Sequence, residues 1–340
     1  MYEALFDEWY ATGFGAVLKA LGNNNLSWEK TDKFNVGIEM QFLNRRLTVD
    51  ADYYHDKTID LVNDVSLSQT SGFSSYKDNM GEVLNQGFEL QVRGEVFRNR
   101  DWLVALWGNM AHNKNKIVKI SDSQRAYNLR VEQFYQNSAN EEYGRYNAQY
   151  AVPISQYEEG QSLTSIWAVK SLGIDPTTGK EIFLNRDGSV SDTWNATQEV
   201  VVGNTEPKFN GSVGFNLAYK AWSLFAAFQY EWGGQEYNQT LVDRVENVNM
   251  SYAVDKRVLE GRWQKPGDKV RFRSLKQVWD PEKQAYKVDE KTYATSRFVQ
   301  KKNELNISSI NFSYDFFRHA FVKKMGMERL SVAFYMNDVA

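Results

Sequence analysis

The sequence contains no cysteine, which excludes a disulfide framework, a thiolate zinc site and a thiol nucleophile. Proline is scarce, with five in 340 residues, or about 1.5% against a usual ~5%. The three histidines, His55, His112 and His319, are scattered and lack the spacing of a metal site. Neither sign of charge dominates: 40 Lys+Arg face 43 Asp+Glu, so no polyanionic or polycationic partner is implied. Long apolar runs are missing too. The longest, Ala221 to Phe228, is far short of the ~18 residues a membrane helix needs. No basic stretch followed by an apolar run marks a signal peptide. A helical membrane protein is excluded; a β-barrel is not.

What is present is alternation. From Phe34 to Phe42 the even positions are Phe34, Val36, Ile38, Met40 and Phe42, and the odd ones are Asn35, Gly37, Glu39 and Gln41. A period of two belongs to a half-buried strand, whose successive side chains point to opposite faces. After Leu43-Asn44-Arg45 the pattern resumes with Leu47, Val49, Ala51 and Tyr53 against Thr48, Asp50 and Asp52, which predicts a long hairpin. Three more pairs follow. Phe88, Leu90, Val92 and Val96 alternate with Glu89, Gln91, Arg93 and Glu95, before a partner from Trp102 to about His112. Phe209 to Tyr219 precedes Trp222 to Trp232, and Ile310 to Phe316 precedes Leu330 to Met336. The expectation is eight antiparallel strands.

Connections within pairs are short, at about 43–46, 98–101, 219–221 and 317–328. Those between pairs are long, at about 58–85, 114–206 and 234–296. Structureless loops beyond ~12–15 residues are uncommon in a compact soluble domain. Strands of ~9–11 residues with short turns at one end and long loops at the other match a transmembrane barrel. A soluble β-sandwich also alternates, and alternation alone does not say whether the apolar face meets lipid or another sheet. Strand length and loop asymmetry favour the barrel.

Enzyme motifs come close and fail. Gly173 to Gly179-Lys180 spaces its glycines by five residues, and Glu181 follows the lysine, whereas a phosphate loop needs four and then Ser or Thr. Glu141-Glu142 and Glu158-Glu159 are adjacent loop acids that read better as solvated than as a glycosidase pair. The basic, ring-interleaved run Arg262 to Arg273 reads as an outer loop able to meet anionic lipopolysaccharide rather than as a nucleic-acid groove. No catalytic residue, cofactor or metal is expected.

Several segments carry a resemblance. Leu21-Gly22-Asn23, Leu26-Ser27-Trp28-Glu29-Lys30-Thr31 and Asn35-Val36-Gly37 form one; Tyr53-Tyr54 with Lys57-Thr58 and Asp60-Leu61 form another. Gly72-Phe73, then Asn79-Met80-Gly81-Glu82-Val83-Leu84-Asn85-Gln86-Gly87-Phe88-Glu89, come next. Gly173-Ile174-Asp175-Pro176-Thr177-Thr178-Gly179 with Asp187-Gly188, and Gly203-Asn204-Thr205 with Pro207-Lys208-Phe209 and Gly211, complete the series. In this order they resemble the SusC/RagA-type TonB-linked outer-membrane proteins, the glycan-import barrels of Bacteroidetes. The resemblance covers most of the chain.

It implies the C-terminal portion of a large transmembrane β-barrel, with residues 1–340 a partial barrel domain and the plug domain and signal peptide absent. It implies a fragment of a transporter that imports oligosaccharides or other nutrients across the outer membrane of a Gram-negative cell. The implied partners are a SusD-like surface lipoprotein, the TonB complex and outer-membrane lipid. A soluble or surface-attached β-rich glycan-binding protein is the alternative. If the apolar faces meet lipid, Glu39, Asp50, Asp52, Glu89, Arg93, Glu95, Glu231 and Asp315 line the interior. Tyr53, Tyr54, Trp102, Tyr219, Trp222, Tyr230 and Trp232 read as interfacial girdles. In the 114–206 loop, Tyr143, Tyr146, Tyr157, Trp167 and Trp194 are the candidate contacts for a ligand or lid. Flat rings beside amides and acids suit a sugar's C–H face and hydroxyls, although such rings also pack loop cores.

Overall fold

The computed structural model describes residues 2–5, 15–18, 21–66, 73, 75–136, 152–154, 156–248, 254–275, 277–280, 285–288, 292–316 and 319–339. Eight long strands form one wall: β1 (Lys30–Phe42), β2 (Leu47–Ile59), β3 (Gly81–Arg98), β4 (Trp102–Ile120), β5 (Phe209–Tyr219), β6 (Trp222–Tyr237), β7 (Val299–Asp315) and β8 (Ser331–Val339). They pair antiparallel in strict chain order, β1 beside β2 through to β8, as the alternation predicts. No helix among the described residues is long and apolar enough to cross a membrane.

Register turns local alternation into two continuous faces. Val36 pairs with Tyr53, Tyr53 with Phe88, Phe88 with His112, and Phe209 with Trp232. The His112 ring lies 5.4 Å from Phe88 and 5.5 Å from Phe209, closing one aromatic row near the loop end. At the turn end Trp102, Tyr219, Trp222 and Tyr314 form a second row, with centroids 4.3 Å apart for Trp102–Tyr219 and for Trp222–Tyr314. Between the rows the face is apolar and open: Ile38 is 57% exposed, Leu106 50% and Phe334 61%.

The spacing of the rows is physical evidence about the solvent. Trp222 and Trp232 lie ten residues apart on one face of β6, about 33 Å along the strand at ~3.3 Å per residue. A strand tilt of ~35–45° leaves about 23–27 Å between the rows, the height of an outer-membrane apolar band.

Two glycines let tyrosines cross to a neighbouring strand. A Cβ at Gly211 would meet Asn109 O at 2.1 Å and Tyr230 Oη at 2.9 Å; the space lets Tyr230 donate to Asn109 O at 3.0 Å. On the other face, a Cβ at Gly87 would meet Tyr54 Oη at 2.6 Å, and Tyr54 donates to Asn113 Oδ1 at 2.9 Å. Tyr54 is therefore not a girdle residue. As the neighbour of Tyr53 it must point the opposite way, into the polar face.

The strands run further than their alternation. β4 continues past His112 to Ile120, and β6 past Trp232 to Tyr237. Beyond the loop-side row one face packs against the outer segments, with Ile117 and Ile120 buried beside Met80 and Val83 and Tyr237 set against Phe298, so the strict two-residue period gives way while the backbone ladder persists. The long connections are also folded, contrary to a loop reading. Residues 114–206 include α1 (Asp122–Gln136) and a four-stranded sheet ordered Val190–Ser191, Glu181–Leu184, Ser165–Ile174, Glu199–Asn204. Short hairpins lie at Val62–Ser66 with Ser75–Asn79 and at Gln277–Asp280 with Ala285–Val288.

Candidate functional site

The polar face of the wall carries the predicted interior residues. Glu39 stands directly opposite Asp50, and Asp52 directly opposite Glu89, so three adjacent strands bring four carboxylates together. None of the four makes an ion pair among the described residues. Arg93 lies between Thr48 and Trp107 in register. Glu231 faces Glu304, and Lys302 sits by both, at 3.9 and 3.3 Å. Like charges directly opposite one another cost stability. Their persistence on one face argues for a wet, functional surface over a packed sheet interface.

Above the wall the outer segments interlock. One apolar cluster gathers Val169, Phe183 and Trp194, with Ile154 and Tyr293 against it. A second gathers Leu241, Val242, Val245, Val258, Phe272 and Phe298. Trp194 Nε1 donates to Ala294 O at 3.1 Å, and Ser171 N to Ser296 Oγ at 2.9 Å, tying residues 114–206 to residues 234–296. Arg297 is the clamp: its Nη2 lies 2.8 Å from Glu181 and 2.6 Å from Glu246. Burial opposes the charge on Arg297, but the two carboxylates outweigh it and hold its pKa above the usual arginine value.

These contacts decide the aromatic candidates. Trp167 is 2% exposed and Trp194 6%, so both rings belong to the module's interior and are not open platforms for a ligand or lid. The burial of Trp194 follows from partners about a hundred residues away, Ala294 and Tyr293, which no local pattern announces. Tyr157 is half-buried against Met80, Val83, Ile117 and Ile120 where the module meets the wall. Tyr143 and Tyr146 lie outside the described residues. The basic run is also corrected in part. Arg262 is 5% exposed and donates to Val258 O and Arg273 O at 2.7 and 2.8 Å, so it braces the loop from within. Trp263 packs over Gly179 and donates to Pro176 O at 2.8 Å, which joins the run to the Asp175–Gly179 turn. Glu159 pairs with Arg125 of α1 at 2.8 Å.

One buried acid had no warning in the sequence. Glu199 is fully buried beside Val169 in the four-stranded sheet, and Gln156 Nε2 donates to it. Burial pushes its carboxyl up to about 8, against the opposing pull of Arg186 and the Gln156 hydrogen bond.

No group of His, Asp and Glu that could hold a metal occurs among the described residues. The wall thus has two chemically distinct faces, one apolar and exposed, the other rich in carboxylates and amides. Residues 4–278 match the family model for the TonB dependent receptor-like β-barrel. The chain belongs to that family. It is a family of outer-membrane receptors and transporters. TonB-dependent receptor P39 of Formosa agariphila is 24% identical over 96% of this chain and 33% of its own length. TonB-dependent receptor SusC of Bacteroides thetaiotaomicron is 35% identical over 29% of this chain. The RagAB peptide transporter structure superposes on the whole chain with a TM-score of 0.74 at 20% identity, using 34% of that chain. The chain therefore spans about a third of the length of P39 and of the RagAB transporter chain, and its match to SusC covers 10% of that protein. The resemblance to SusC/RagA-type barrels holds, and with it the antiparallel eight-stranded barrel segment.

Proposed function

We propose that this chain forms part of the wall and outer vestibule of an energy-coupled outer-membrane importer. The two-faced wall carries the reading: an apolar face bounded by aromatic rows about 25 Å apart, backed by a continuous polar face. The polar face lines the lumen, where Glu39, Asp50, Asp52, Glu89, Arg93 and Glu231 stay solvated or hold a plug. The interlocked outer module forms the vestibule on which a SusD-like lipoprotein closes, and Tyr143, Tyr146 and Tyr157 remain candidate cargo or lid contacts there. The TonB complex supplies energy through the whole receptor. Oligosaccharide is the favoured cargo class. Peptide is the other, because a peptide transporter shares the architecture.

Deleting the gene for the full-length receptor should abolish uptake of a labelled oligosaccharide or peptide pool, and a protonophore should do the same to the parent strain. Membrane-bound receptor should resist salt and yield to detergent, with a surface lipoprotein co-purifying. Release by salt alone, or uptake that ignores the deletion, would sink the proposal.

A further inference from the structure

The polar face of the wall carries two rings among its amides and acids. In register Trp107 stands opposite Arg93 on one side and Gly214 on the other, so it shares the face of Gln91 and Asn109. Phe225 pairs with Asn216 and with Asn311, which places it on the same face. Both rings therefore point away from the apolar band.

Gly214 lets them meet. A Cβ there would fall 2.5 Å from Trp107 Cζ2 and 2.7 Å from Cε2, so the indole lies across the β5 backbone in the space a side chain would fill. It reaches Phe225 of β6 at a centroid distance of 6.3 Å, with 14° between the ring planes. The two rings thus share one orientation. Tyr335, 66% exposed, continues the face beyond Asn311. Gly214 is equidistant from Phe209 and Tyr219, the two ends of β5, so the rings sit at mid-height of the wall, below the outer module.

Their surroundings are polar. Gln91, Asn216 and Gln229 stand on the same face within about 12 Å of the Trp107 backbone, given ~4.8 Å between strands and ~6.6 Å between same-face residues. Their side-chain amides make no hydrogen bond among the described residues. Glu39 and Asp50 complete the row of Gln91, which disfavours an anionic ligand. A flat ring takes the C–H face of a sugar, and unpaired amides take the hydroxyls that are costly to bury alone.

We propose that Trp107 and Phe225 form a stacking subsite on the lumen wall for one sugar ring of a neutral oligosaccharide, with Gln91, Asn216 and Gln229 pairing its hydroxyls. The assignment rests on the polar face lining the lumen of an importer. It places a cargo contact deep in the wall, apart from the vestibule.

Cells carrying the full-length receptor, with the deletion strain as blank, are offered two labelled pools below saturation. One holds oligosaccharides from starch, yeast mannan and β-glucan; the other holds tryptic peptides of casein. Protonophore-sensitive uptake of the sugar pool, per receptor folded in the outer membrane, should fall about three- to tenfold in Trp107→Leu and in Phe225→Leu, the scale of one aromatic contact. Trp107→Phe should recover most of it. Gln91→Leu should cost about threefold, and it decides the case if a ring variant fails to fold. Leu106→Ala, the adjacent residue on the apolar face, should change nothing. Unchanged sugar uptake in the folded variants would overturn the subsite, as would an equal loss of peptide uptake, or peptide uptake alone in the parent. Ring variants that admit vancomycin, which a sealed barrel excludes, would mean that the rings seat a plug, and would overturn it too. Uptake of neither pool by the parent defeats the importer reading itself, whereas parental sugar uptake that the variants leave intact defeats the subsite alone.

Discussion

Replacing Arg297 with methionine should loosen the outer module while leaving the barrel wall intact. The guanidinium stands 2.8 Å from Glu181 and 2.6 Å from Glu246, and the three side chains are 7%, 7% and 0% exposed. Removing one partner of a buried pair costs about 3–5 kcal/mol, because the partner charge is stranded. Arg273 remains 3.6 Å from Glu246 and offsets part of the loss. An effect near the lower bound, about 3 kcal/mol, is expected, which is more than a hundredfold in local opening at 1.4 kcal/mol per tenfold.

Hydrogen exchange on the detergent-solubilised full-length receptor reads this directly. Amides of Ser165–Ile174 should lose protection by about that factor, and those of β5 should not change. The network also leaves Glu181 Oε1, Glu246 Oε2 and Arg297 Nε without hydrogen-bond partners among the described residues. Neutralising all three residues, by Arg297→Met with Glu181→Gln and Glu246→Gln, should therefore restore most of the protection. Exchange in the single variant within about threefold of the parent would refute the clamp. Equal loss in β5 would refute its confinement to the module.

The pH dependence of the module should follow Glu199. Its carboxyl titrates near 4.5 when exposed and at about 8 when folded, so its contribution is full below 4.5 and is lost as pH rises towards 8. Glu199→Gln should flatten the fall in module protection across that window. Val213→Lys, midway between the aromatic rows on the apolar face, should cost the barrel about 2–4 kcal/mol in urea unfolding. Ser212→Lys on the other face should cost far less. Gly211→Ala should cost about 1–3 kcal/mol by the same assay, because its Cβ meets a carbonyl oxygen at 2.1 Å. An unchanged urea midpoint would mean that Tyr230 does not need that space. Asp50→Asn removes a like charge facing Glu39 and should leave barrel stability equal or raise it by up to about 1 kcal/mol. Destabilisation would mean that the carboxylate is satisfied by an unseen partner.

The number, order and faces of the wall strands were legible in the sequence, because side-chain alternation is a property of two neighbouring residues. Phe34 to Phe42 fixes its own faces before any partner is known, and the tight connections at Leu43–Arg46 and Lys220–Ala221 leave only hairpin pairing. The ends of β4 and β6 were not legible, since the burial of Ile117, Ile120 and Tyr237 is set by outer segments that pack on one face and not by an apolar period. Nor was the fate of Trp167, Trp194 and Arg262. A ring or a guanidinium carries the same local signature whether it meets a ligand or a core. For Trp194 the choice was made by Ala294 and Tyr293, brought close only when the 114–206 and 234–296 segments lock together, and for Arg262 by carbonyls of its own segment, those of Val245, Val258 and Arg273. Local periodicity determined the wall. Long-range packing decided which polar and aromatic groups on it are free to act.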